Sequence, residues 1–425
     1  MARVLVSSLP FAGHVGPTSA VAAELVRRGH RVVAYTGTKY HGRFLAVGAE
    51  WLPWRRARDF DDARLAATFP GLGGGKGLRG AWRHSARVFL GTAAGQAADL
   101  LDAARRQPFD LVVTDQLAFG AALAAEALDV PWASVAVTPL TLPGRHLPPP
   151  GLSPAAGPVG RVRDAVLRPP AGAVQRRLAT PRVNRVRAAA GLGPRTVAAL
   201  EDCYSPYLVV AQGVPALEFD RPDLPAHVRF VGRLAPPARS TVPLPDWWPE
   251  LVAARADGRP VVHVTQGTLD NDPDDLLRPA VAGLAGTAPL VLCATGGPAP
   301  SVLGPLPDNV RVAAFLPYDR LLPLVDVMVT NGGWGGTLGG LAAGVPLVVA
   351  GRSLDKPDVA RRVAWSGAGL DLRTDRPGPT RIRRAVQRVL AGPGFRRRAG
   401  ELAVALTGAG GAGRAADRIE ALLDR

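Results

Sequence analysis

Residues 330–346 read TNGGWGGTLGGLAAGVP, and this stretch decides the fold of the second half of the chain. The apolar run VDVMVT (325–330) predicts a buried parallel strand, and TLGGLAAGVP predicts a short helix that ends at Gly344 and Pro346. Four of the five residues 332–336 are glycine. A glycine turn between a strand and a helix exposes backbone N–H groups at the helix N-terminus, where the helix dipole also favours an anion. The stretch therefore predicts a site for a diphosphate.

The following predicted strand brings polar side chains to the same region. After PLVVAG (346–351) the chain continues as SLDKPDVARRV, which places Asp355 and Lys356 at the end of that strand. We expect these two residues to meet a polar group attached to the diphosphate.

The rest of the chain alternates short apolar strands with helical segments, which predicts parallel sheets covered by helices on both faces. The predicted strands are 2–8, 30–37, 110–115, 132–138, 207–212 and 228–234 in the first half, and 260–267, 289–296, 310–316, 325–330 and 346–351 in the second. The predicted helices are 19–29, 120–130, 273–286 and 413–425. The expected fold class is α/β, with two Rossmann-like, doubly wound parallel sheets facing a central cleft. Such sheets bind ligands beyond the carboxyl ends of their strands.

The length of 425 residues implies two domains, because one hydrophobic core rarely grows beyond about 250–300 residues. The proline-rich segment APPARSTVPLPDWWP (235–249) predicts the linker. We therefore expect one domain at 1–237 and a second at 238–425, and we leave open whether the last helix packs back on the first domain.

Between residues 139 and 194 proline, glycine and arginine dominate and the periodicity fades, which predicts a long excursion with one helix near 171–190. From 145 to 187 there are nine arginines and one acidic residue, Asp164. This excess predicts either a solvated basic face or mobile loop, or an electropositive rim that attracts an anionic donor, acceptor or membrane surface.

The net charge of +16 raises the question of a nucleic-acid partner. Only Lys39, Lys76 and Lys356 are lysines among the 51 basic residues, and the abundance of alanine, glycine, proline and arginine is typical of GC-rich codons. The chain has no aromatic-interleaved basic stretch and no nucleic-acid-binding motif. We therefore expect no nucleic-acid partner.

The two cysteines, Cys203 and Cys293, lie far apart and form no C-x-x-C motif, which predicts a reducing compartment without disulfides or structural zinc. The N-terminus lacks the pattern of a signal peptide, and no apolar run approaches about 18 residues. We expect a cytoplasmic protein.

The first predicted strand runs into SLPFAGHVGP (8–17), a glycine-punctuated loop that carries His14. An imidazole at the carboxyl edge of a sheet suits a general base. Asp115 ends another predicted strand of the same sheet, so its carboxylate could orient the imidazole as in a catalytic triad. Each residue alone has a structural explanation, a backbone-bonded histidine and a capping aspartate, but the pair favours catalysis.

Other motifs, present or absent, limit the classes of reaction that the chain could catalyse. In TQGTLDND (265–272), Gly267 permits a tight turn and Thr268 offers a hydroxyl and an N–H to a phosphate, although many helices begin with threonine. The glycine turn does not have the spacing G-x-G-x-x-G, which argues against a nicotinamide oxidoreductase, and the P-loop pattern is absent. Neither G-x-S-x-G nor a paired-histidine ligand set occurs, so we expect neither a serine hydrolase nor a catalytic metal.

Taken together, these residues resemble a family-1-type glycosyltransferase of the GT-B fold, of the bacterial natural-product or antibiotic group. The resemblance covers nearly the whole chain. Three segments carry it, namely AGHVGPTSAVAAELVRRGHRV, VTQGTLDN and the long stretch from NVRVAAFLPYDRLL to SLDKPDVARRV.

The resemblance implies transfer of a sugar, a hexose or deoxyhexose, from a nucleoside diphosphate to a hydroxyl of a small, largely apolar acceptor. The reaction would invert the anomeric centre without a metal or other cofactor. His14 would be the general base, with Asp115 as its partner. The first domain would bind the acceptor and the second the dTDP- or UDP-sugar. The implied donor-binding residues are Phe315 and Leu316 beside the base, Thr268, Asn331, Gly333, Gly335, Gly336 and Thr337 around the diphosphate, and Asp355 and Lys356 at the sugar.

The chain departs from the family pattern at three positions. Many relatives have histidine at Asn331, and asparagine cannot bring a positive charge to the phosphate. Many have glutamate at Gly339, where it holds the ribose hydroxyls, and a donor without a 2′-hydroxyl, such as a dTDP-sugar, would suffer less from its loss. Lys356 replaces the usual glutamine, and its charge could compensate for Asn331. These departures keep open a second hypothesis, a catalytically silent protein of this fold that binds a nucleotide or stabilises a partner enzyme.

Overall fold

The computed structural model describes residues 1–72, 77–145, 147–148, 152, 157–235, 240–267 and 272–424. The described residues form two compact units. One contains residues 1–213, 219–235 and 409–424, and the other contains 214–218 and the described part of 240–408. The predicted boundary at 237/238 lies outside the described residues.

The first unit is built on a parallel sheet of seven strands, flanked by eight of the labelled helices. The strands are β1 Arg3–Ser7, β2 Arg31–Thr36, β3 Glu50–Pro53, β4 Leu111–Asp115, β5 Trp132–Ala136, β6 Leu208–Ala211 and β7 Val228–Phe230. The helices are α1 Ala12–Arg27, α2 His41–Leu45, α3 Leu65–Thr68, α4 Gly77–His84, α5 Leu90–Arg106, α6 Phe119–Ala127, α7 Gly157–Ala189 and, at the end of the chain, α15 Gly411–Glu420. A π-helical turn, Ser85–Phe89, joins α4 to α5.

The second unit repeats the plan with six parallel strands. They are β8 Val261–Thr265, β9 Leu290–Ala294, β10 Val310–Ala313, β11 Val327–Thr330, β12 Leu347–Val349 and β13 Gly369–Asp371. Its helices are α8 Trp248–Ala256, α9 Leu277–Leu284, α10 Tyr318–Leu321, α11 Trp334–Ala342, α12 Lys356–Trp365, α13 Pro379–Ala391 and α14 Pro393–Gly408.

Both sheets have the doubly wound strand order that the alternating pattern predicts. The first order is β3-β2-β1-β4-β5-β6-β7 and the second is β10-β9-β8-β11-β12-β13. In each sheet the order reverses between two neighbouring strands, β1 and β4 in the first and β8 and β11 in the second. Loops leave these neighbours toward opposite faces, which opens a crevice at the carboxyl edge.

The cores form because the central strands are apolar on both faces, as parallel strands buried between helices must be. All five residues of β4 and all five of β8 are buried. The last helix, α15, adds Ala415, Ala416 and Ile419 to the core cluster of the first unit. On the surface of that unit the Arg28 guanidinium donates to Asp417 at 2.8 Å. Within the described residues no helix combines the length and apolarity needed to cross a membrane.

Two predicted helices begin seven or more residues before their predicted start. The first was expected at 19–29, but α1 is Ala12–Arg27 and contains Pro17. Its early start is stabilised from a distance, because the Asp62 carboxylate accepts the Ala12 N–H at 3.0 Å. Because Asp62 is fifty residues away in the chain, the sequence around Ala12 does not predict this capping contact.

The helix expected near 171–190 is also longer, since α7 begins at Gly157 and continues through Pro169, Pro170 and Pro181. Proline normally disfavours the helix interior because it removes one hydrogen bond and crowds the preceding turn. These three prolines are exposed, so the carbonyl groups that they leave unpaired can be hydrated. The helix predicted from composition is therefore too short, because the prolines before residue 171 argue against a helix there.

Candidate functional site

His14 and Asp115 meet at the point where the strand order of the first sheet reverses. β1 and β4 are neighbours, with Ser7 paired to Thr114. Asp115 is the last residue of β4, and His14 is the third residue of α1, just beyond β1. The sequence placed His14 in a loop. In the structure it lies in the first turn of a helix, which still holds it at the carboxyl edge.

The pair is closely bonded and mostly buried. His14 Nδ1 lies 2.6 Å from Asp115 Oδ2, and the exposed fractions of the two side chains are 11% and 0%. The carboxylate also accepts the N–H of Leu9 at 3.1 Å and the N–H of Leu117 at 2.9 Å. Since a carboxylate is an acceptor, we assign the imidazole proton to Nδ1, which leaves the lone pair on Nε2 to act as a base.

Aromatic rings surround this histidine, and the sequence analysis did not identify them. The ring centroid of Phe11 lies 5.1 Å from that of His14, and the centroid of Phe89 lies 6.4 Å away. Phe60 packs against Phe11 at 5.1 Å. Phe89 ends the π-helical turn between α4 and α5, and such turns occur often at functional sites. These residues come from separate parts of the chain, so no local signal would have grouped them.

In the second unit the glycine turn follows β11 at the reversal point of the sheet. Gly332 has φ +88, a conformation that favours glycine. The turn also packs very closely against the loop after β12, because a Cβ on Gly351 would lie 1.9 Å from the Asn331 carbonyl oxygen. Glycine is therefore required at position 332 by the backbone conformation and at position 351 by this contact, which fixes the position of the turn.

The first turn of α11 presents polar hydrogen atoms without internal acceptors. The first bond of the helix runs from the Thr337 N–H to the Gly333 carbonyl at 2.9 Å. The N–H groups of Trp334, Gly335 and Gly336 therefore precede the helical ladder. In the described part of the chain the buried Trp334 Nε1 and Thr337 Oγ1 have no hydrogen-bond partner. A buried polar group without a partner is costly, so these atoms favour an anionic ligand at this turn.

Asn331 links the glycine turn to the loop after β8. Its Nδ2 donates to the Gln266 carbonyl, and its Oδ1 accepts the Gly333 N–H at 3.3 Å. Asn331 as a whole residue is 6% exposed. Asn331 therefore holds two loops of the expected phosphate site together. Thr268, which follows in the second loop, lies outside the described residues.

Lys356 is buried beside the glycine turn. It opens α12 rather than ending β12, and Asp355 precedes it as the N-cap residue. Lys356 is only 5% exposed, and its Nζ donates to Ser353 Oγ at 2.9 Å. A Cβ on Gly332 would lie 3.7 Å from the Lys356 Cβ. The structure thus places the Lys356 backbone and Cβ beside the turn, and Lys356 begins a helix rather than ending a strand.

Phe315 and Leu316 follow β10 at the same edge of the second sheet. Phe315 is 52% exposed, whereas Leu316 is 6% exposed. The Phe315 ring passes over Gly297, where an added Cβ would lie 3.9 Å from Cζ. A half-exposed ring beside a bare backbone provides a surface on which a planar group can stack.

A buried chain of hydrogen bonds connects these loops, and the sequence analysis missed it. His263 Nδ1 faces the Leu292 carbonyl at 2.9 Å, so Nε2 accepts from the Tyr318 hydroxyl at 3.0 Å. Tyr318 also bonds to the Thr265 hydroxyl, which accepts the Gly267 N–H at 3.2 Å. Burial raises the pKa of Tyr318 to about 12 and lowers the pKa of His263 to about 4, so both stay neutral near pH 7. This series of hydrogen bonds connects the segment after Leu316 to the loop after β8.

The described residues include no group of three or more histidine, cysteine, aspartate or glutamate side chains arranged to hold a metal ion. The predicted site residues that the structure describes form two separate sets, one in each unit. His14 and Asp115 form one set in the first unit. The second set lies along the carboxyl edge of the second sheet and contains Phe315, Leu316, Asn331, Gly333, Gly335, Gly336, Thr337, Asp355 and Lys356.

Comparison with known proteins identifies relatives of the same architecture. Residues 291–419 match the family described as erythromycin biosynthesis protein CIII-like, C-terminal domain. The chain is 42% identical over 404 residues to 4'-demethylrebeccamycin synthase of Lentzea aerocolonigenes, covering 94% of each protein. It is 30% identical over 423 residues to UDP-glycosyltransferase 2 of Phaeomoniella chlamydospora, covering 94% of this chain and 91% of that protein.

The solved structure of the glycosyltransferase VinC in complex with dTDP superposes on this chain with a TM-score of 0.72. The two sequences are 23% identical, and the superposition covers 100% of each chain. That similarity concerns the fold, which is GT-B. The identity to the Lentzea enzyme extends over nearly the whole chain, so this protein belongs to the natural-product glycosyltransferases of the family-1 type and is an enzyme of that class.

Proposed function

We propose that this glycosyltransferase moves a sugar from a dTDP- or UDP-sugar to a hydroxyl of a small, largely apolar acceptor, with inversion at the anomeric carbon. The observation that carries the proposal is the bonded pair of His14 and Asp115 at the carboxyl edge of the first sheet. The glycine turn at the corresponding edge of the second sheet supports a diphosphate donor.

In the proposed reaction, His14 Nε2 takes the proton of the acceptor hydroxyl while the hydroxyl oxygen attacks the anomeric carbon. The bond from that carbon to the diphosphate oxygen breaks, and its electron pair leaves with the nucleoside diphosphate. Asp115 keeps the imidazole in the required tautomer and stabilises the imidazolium that forms. The aromatic rings of Phe11 and Phe89 limit access of water and suit an apolar acceptor.

The leaving diphosphate gains negative charge, which must be stabilised. Under the proposal this falls to the N–H groups of Trp334, Gly335 and Gly336, the dipole of α11 and the Lys356 ammonium, without a metal. Thr337 Oγ1 and Trp334 Nε1 add donors that have no partner in the described chain. Asp355 and Lys356 would contact the sugar hydroxyls, and the Phe315 and Leu316 segment would hold the base.

Replacement of His14 tests the catalytic proposal. We expect His14→Ala to lower kcat by about 10²–10⁴-fold, the usual contribution of a general base, while nucleotide-sugar affinity stays the same. Calorimetric titration with the donor shows whether the variant is folded. Asp115→Asn should also lower kcat strongly, because the asparagine amide can donate to Nδ1 and so favours the tautomer that carries its proton on Nε2. Full activity of both variants would remove this pair from the mechanism.

The donor preference is open to a separate test. Many family members hold the ribose hydroxyls with a glutamate where this chain has Gly339, and VinC was solved with dTDP. We therefore expect a higher kcat/KM for a dTDP-sugar than for the UDP-sugar with the same hexose. Gly339→Glu should shift the ratio toward UDP. A clear UDP preference of the native enzyme would contradict the role given to Gly339.

A further inference from the structure

Helix α7 presents a row of apolar side chains to solvent. Val162, Val166, Val174 and Leu178 are 63%, 65%, 61% and 41% exposed, and Pro170 completes the row at the same spacing. Successive members are four residues apart, so each advances about 6 Å along the helix and turns by about 40°. The outward ridge, as we call residues 162, 166, 170, 174 and 178, therefore runs about 24 Å along the helix and winds through about 160°. Residues 166, 170 and 174 lie within about 80° and share one face, and residues 162 and 178 lie at its two edges.

The outward ridge is distinct from the face that packs on the protein. Ala179, Val183 and Val186 are 0–2% exposed and lie on the opposite side of the helix. A helix on the surface of a monomer normally turns its apolar stripe to the core and polar residues to water. Helix α7 has a packed apolar face near its C-terminal end and a second apolar face in solvent. An exposed strip of this length marks a surface that contacts something else.

The net charge around the ridge is positive, because α7 contains eight arginines and one acidic residue. Arg163 lies three residues before Val166 and Arg177 lies three residues after Val174, so both flank the ridge. The only acidic residue of the helix, Asp164, is 6% exposed and its carboxylate accepts from the Arg163 guanidinium at 2.6 Å. The outward face of α7 is therefore apolar and cationic.

We propose that the outward ridge of α7 docks the enzyme on an anionic lipid surface. Apolar side chains that project from a single convex helix can enter the boundary between headgroups and acyl chains, while flanking arginines remain with the phosphates. A fluid lipid surface accepts such projecting side chains without a matching groove. This surface role goes beyond sugar transfer and does not depend on the catalytic assignment.

Vesicle binding tests the proposal directly on the full-length enzyme. We expect co-sedimentation with phosphatidylcholine vesicles that contain phosphatidylglycerol, weaker binding to phosphatidylcholine alone, and weaker binding at high salt. Val166→Ser with Val174→Ser should reduce binding by about tenfold, and Arg177→Gln by about fivefold.

Val404→Ser and Arg397→Gln are matched controls on α14, where Val404 is 76% exposed and the Arg397 side chain 80% exposed. They should bind like the native enzyme.

An inserted probe locates the contact. Cys203 and Cys293 are buried, so a fluorophore can be placed selectively on V166C or on the control V404C. Vesicles should shift the emission of the first to the blue and leave the second unchanged.

Several outcomes would overturn the proposal. These are equal binding of ridge and control variants, no binding to anionic vesicles, or binding only to a soluble polyanion such as polyglutamate, which would indicate an acidic protein partner. A raised acceptor KM in the ridge variants without lipid, and with vesicle binding intact, would instead assign the ridge to the acceptor side.

Discussion

At the scale of single residues, Lys356 is notable because burial makes a cation expensive. Its residue is 5% exposed, it bonds to Ser353, and it packs beside the turn that carries Asn331 and Gly332. A buried ammonium is stable only with polar or anionic partners, and a diphosphate in this turn would add an anionic one. In a chain with only three lysines, this one lies where a positive charge serves the proposed leaving group.

Lys356→Gln should therefore weaken binding of the nucleotide sugar by about fivefold or more, because one charge-assisted contact is worth about 1 kcal/mol or more. Lys39→Gln is the matched control, since Lys39 pairs with Asp61 and Asp62 in the other unit. Calorimetric titration of both variants with the donor measures the effect. Equal donor affinity of Lys356→Gln and native enzyme would rule out a phosphate or sugar contact.

At the scale of elements, the site depends on how closely two loops approach. The turn after β11 and the loop after β12 touch at Asn331 and Gly351 with no room for a side chain. Asn331 then bonds to the Gln266 carbonyl, which brings in the loop after β8. Three loops from three neighbouring strands are thus held by backbone contacts and one amide. This arrangement fixes the first turn of α11, where we propose that the N–H groups bind the diphosphate.

Gly351→Ala should disrupt this arrangement, because the new Cβ would lie 1.9 Å from the Asn331 carbonyl oxygen and one loop must move. We expect donor affinity to fall by about tenfold or more and the protein to be less stable, as for other overpacked sites. Gly394→Ala, where no atom lies within 4 Å of an added Cβ, is the control for a glycine-to-alanine change. Donor titration and thermal melting give the two readouts. Native-like affinity in Gly351→Ala would show that the contact is dispensable.

At the scale of the whole molecule, the stability of the second unit should depend on pH through one buried histidine. His263 lies on the central strand β8 with no exposed surface, bonded to Leu292 and Tyr318. Desolvation lowers its pKa to about 4. In the unfolded chain His263 has an ordinary pKa near 6.5. Between about pH 6.5 and 4 it is therefore protonated in the unfolded chain but not in the folded unit. Stability is therefore complete above this window and lost as the pH falls through it.

The free energy of unfolding of the second unit should fall by on the order of 3 kcal/mol between pH 7 and pH 4 through this residue alone. His263→Gln removes the titration, so its lower starting stability should fall less steeply over the same range. Denaturant unfolding at several pH values measures both slopes. Parallel curves for the native enzyme and the variant would contradict the role of His263.

Much of the architecture could be predicted because it is written in local periodicity. Buried parallel strands are short apolar runs, and the runs at β1, β4, β8 and β11 predicted both sheets. The strands β3 and β13 were missed because they are only four and three residues long and each includes a charged residue, Glu50 or Asp371, which leaves too short an apolar run. The length of α7 was underestimated because proline is a local signal and hydration of an exposed helix is not.

The sequence by itself determined the two parallel sheets, the glycine turn and the pairing of His14 with Asp115 as a hypothesis. These follow from patterns a few residues long, since strand burial and turn geometry are local properties. Only the tertiary structure decided that His14 lies within a helix capped by Asp62, that aromatic rings surround it, and that Lys356 is buried at the turn. The reason is physical: these contacts join residues far apart in the chain, and their energies depend on distances that exist only after folding.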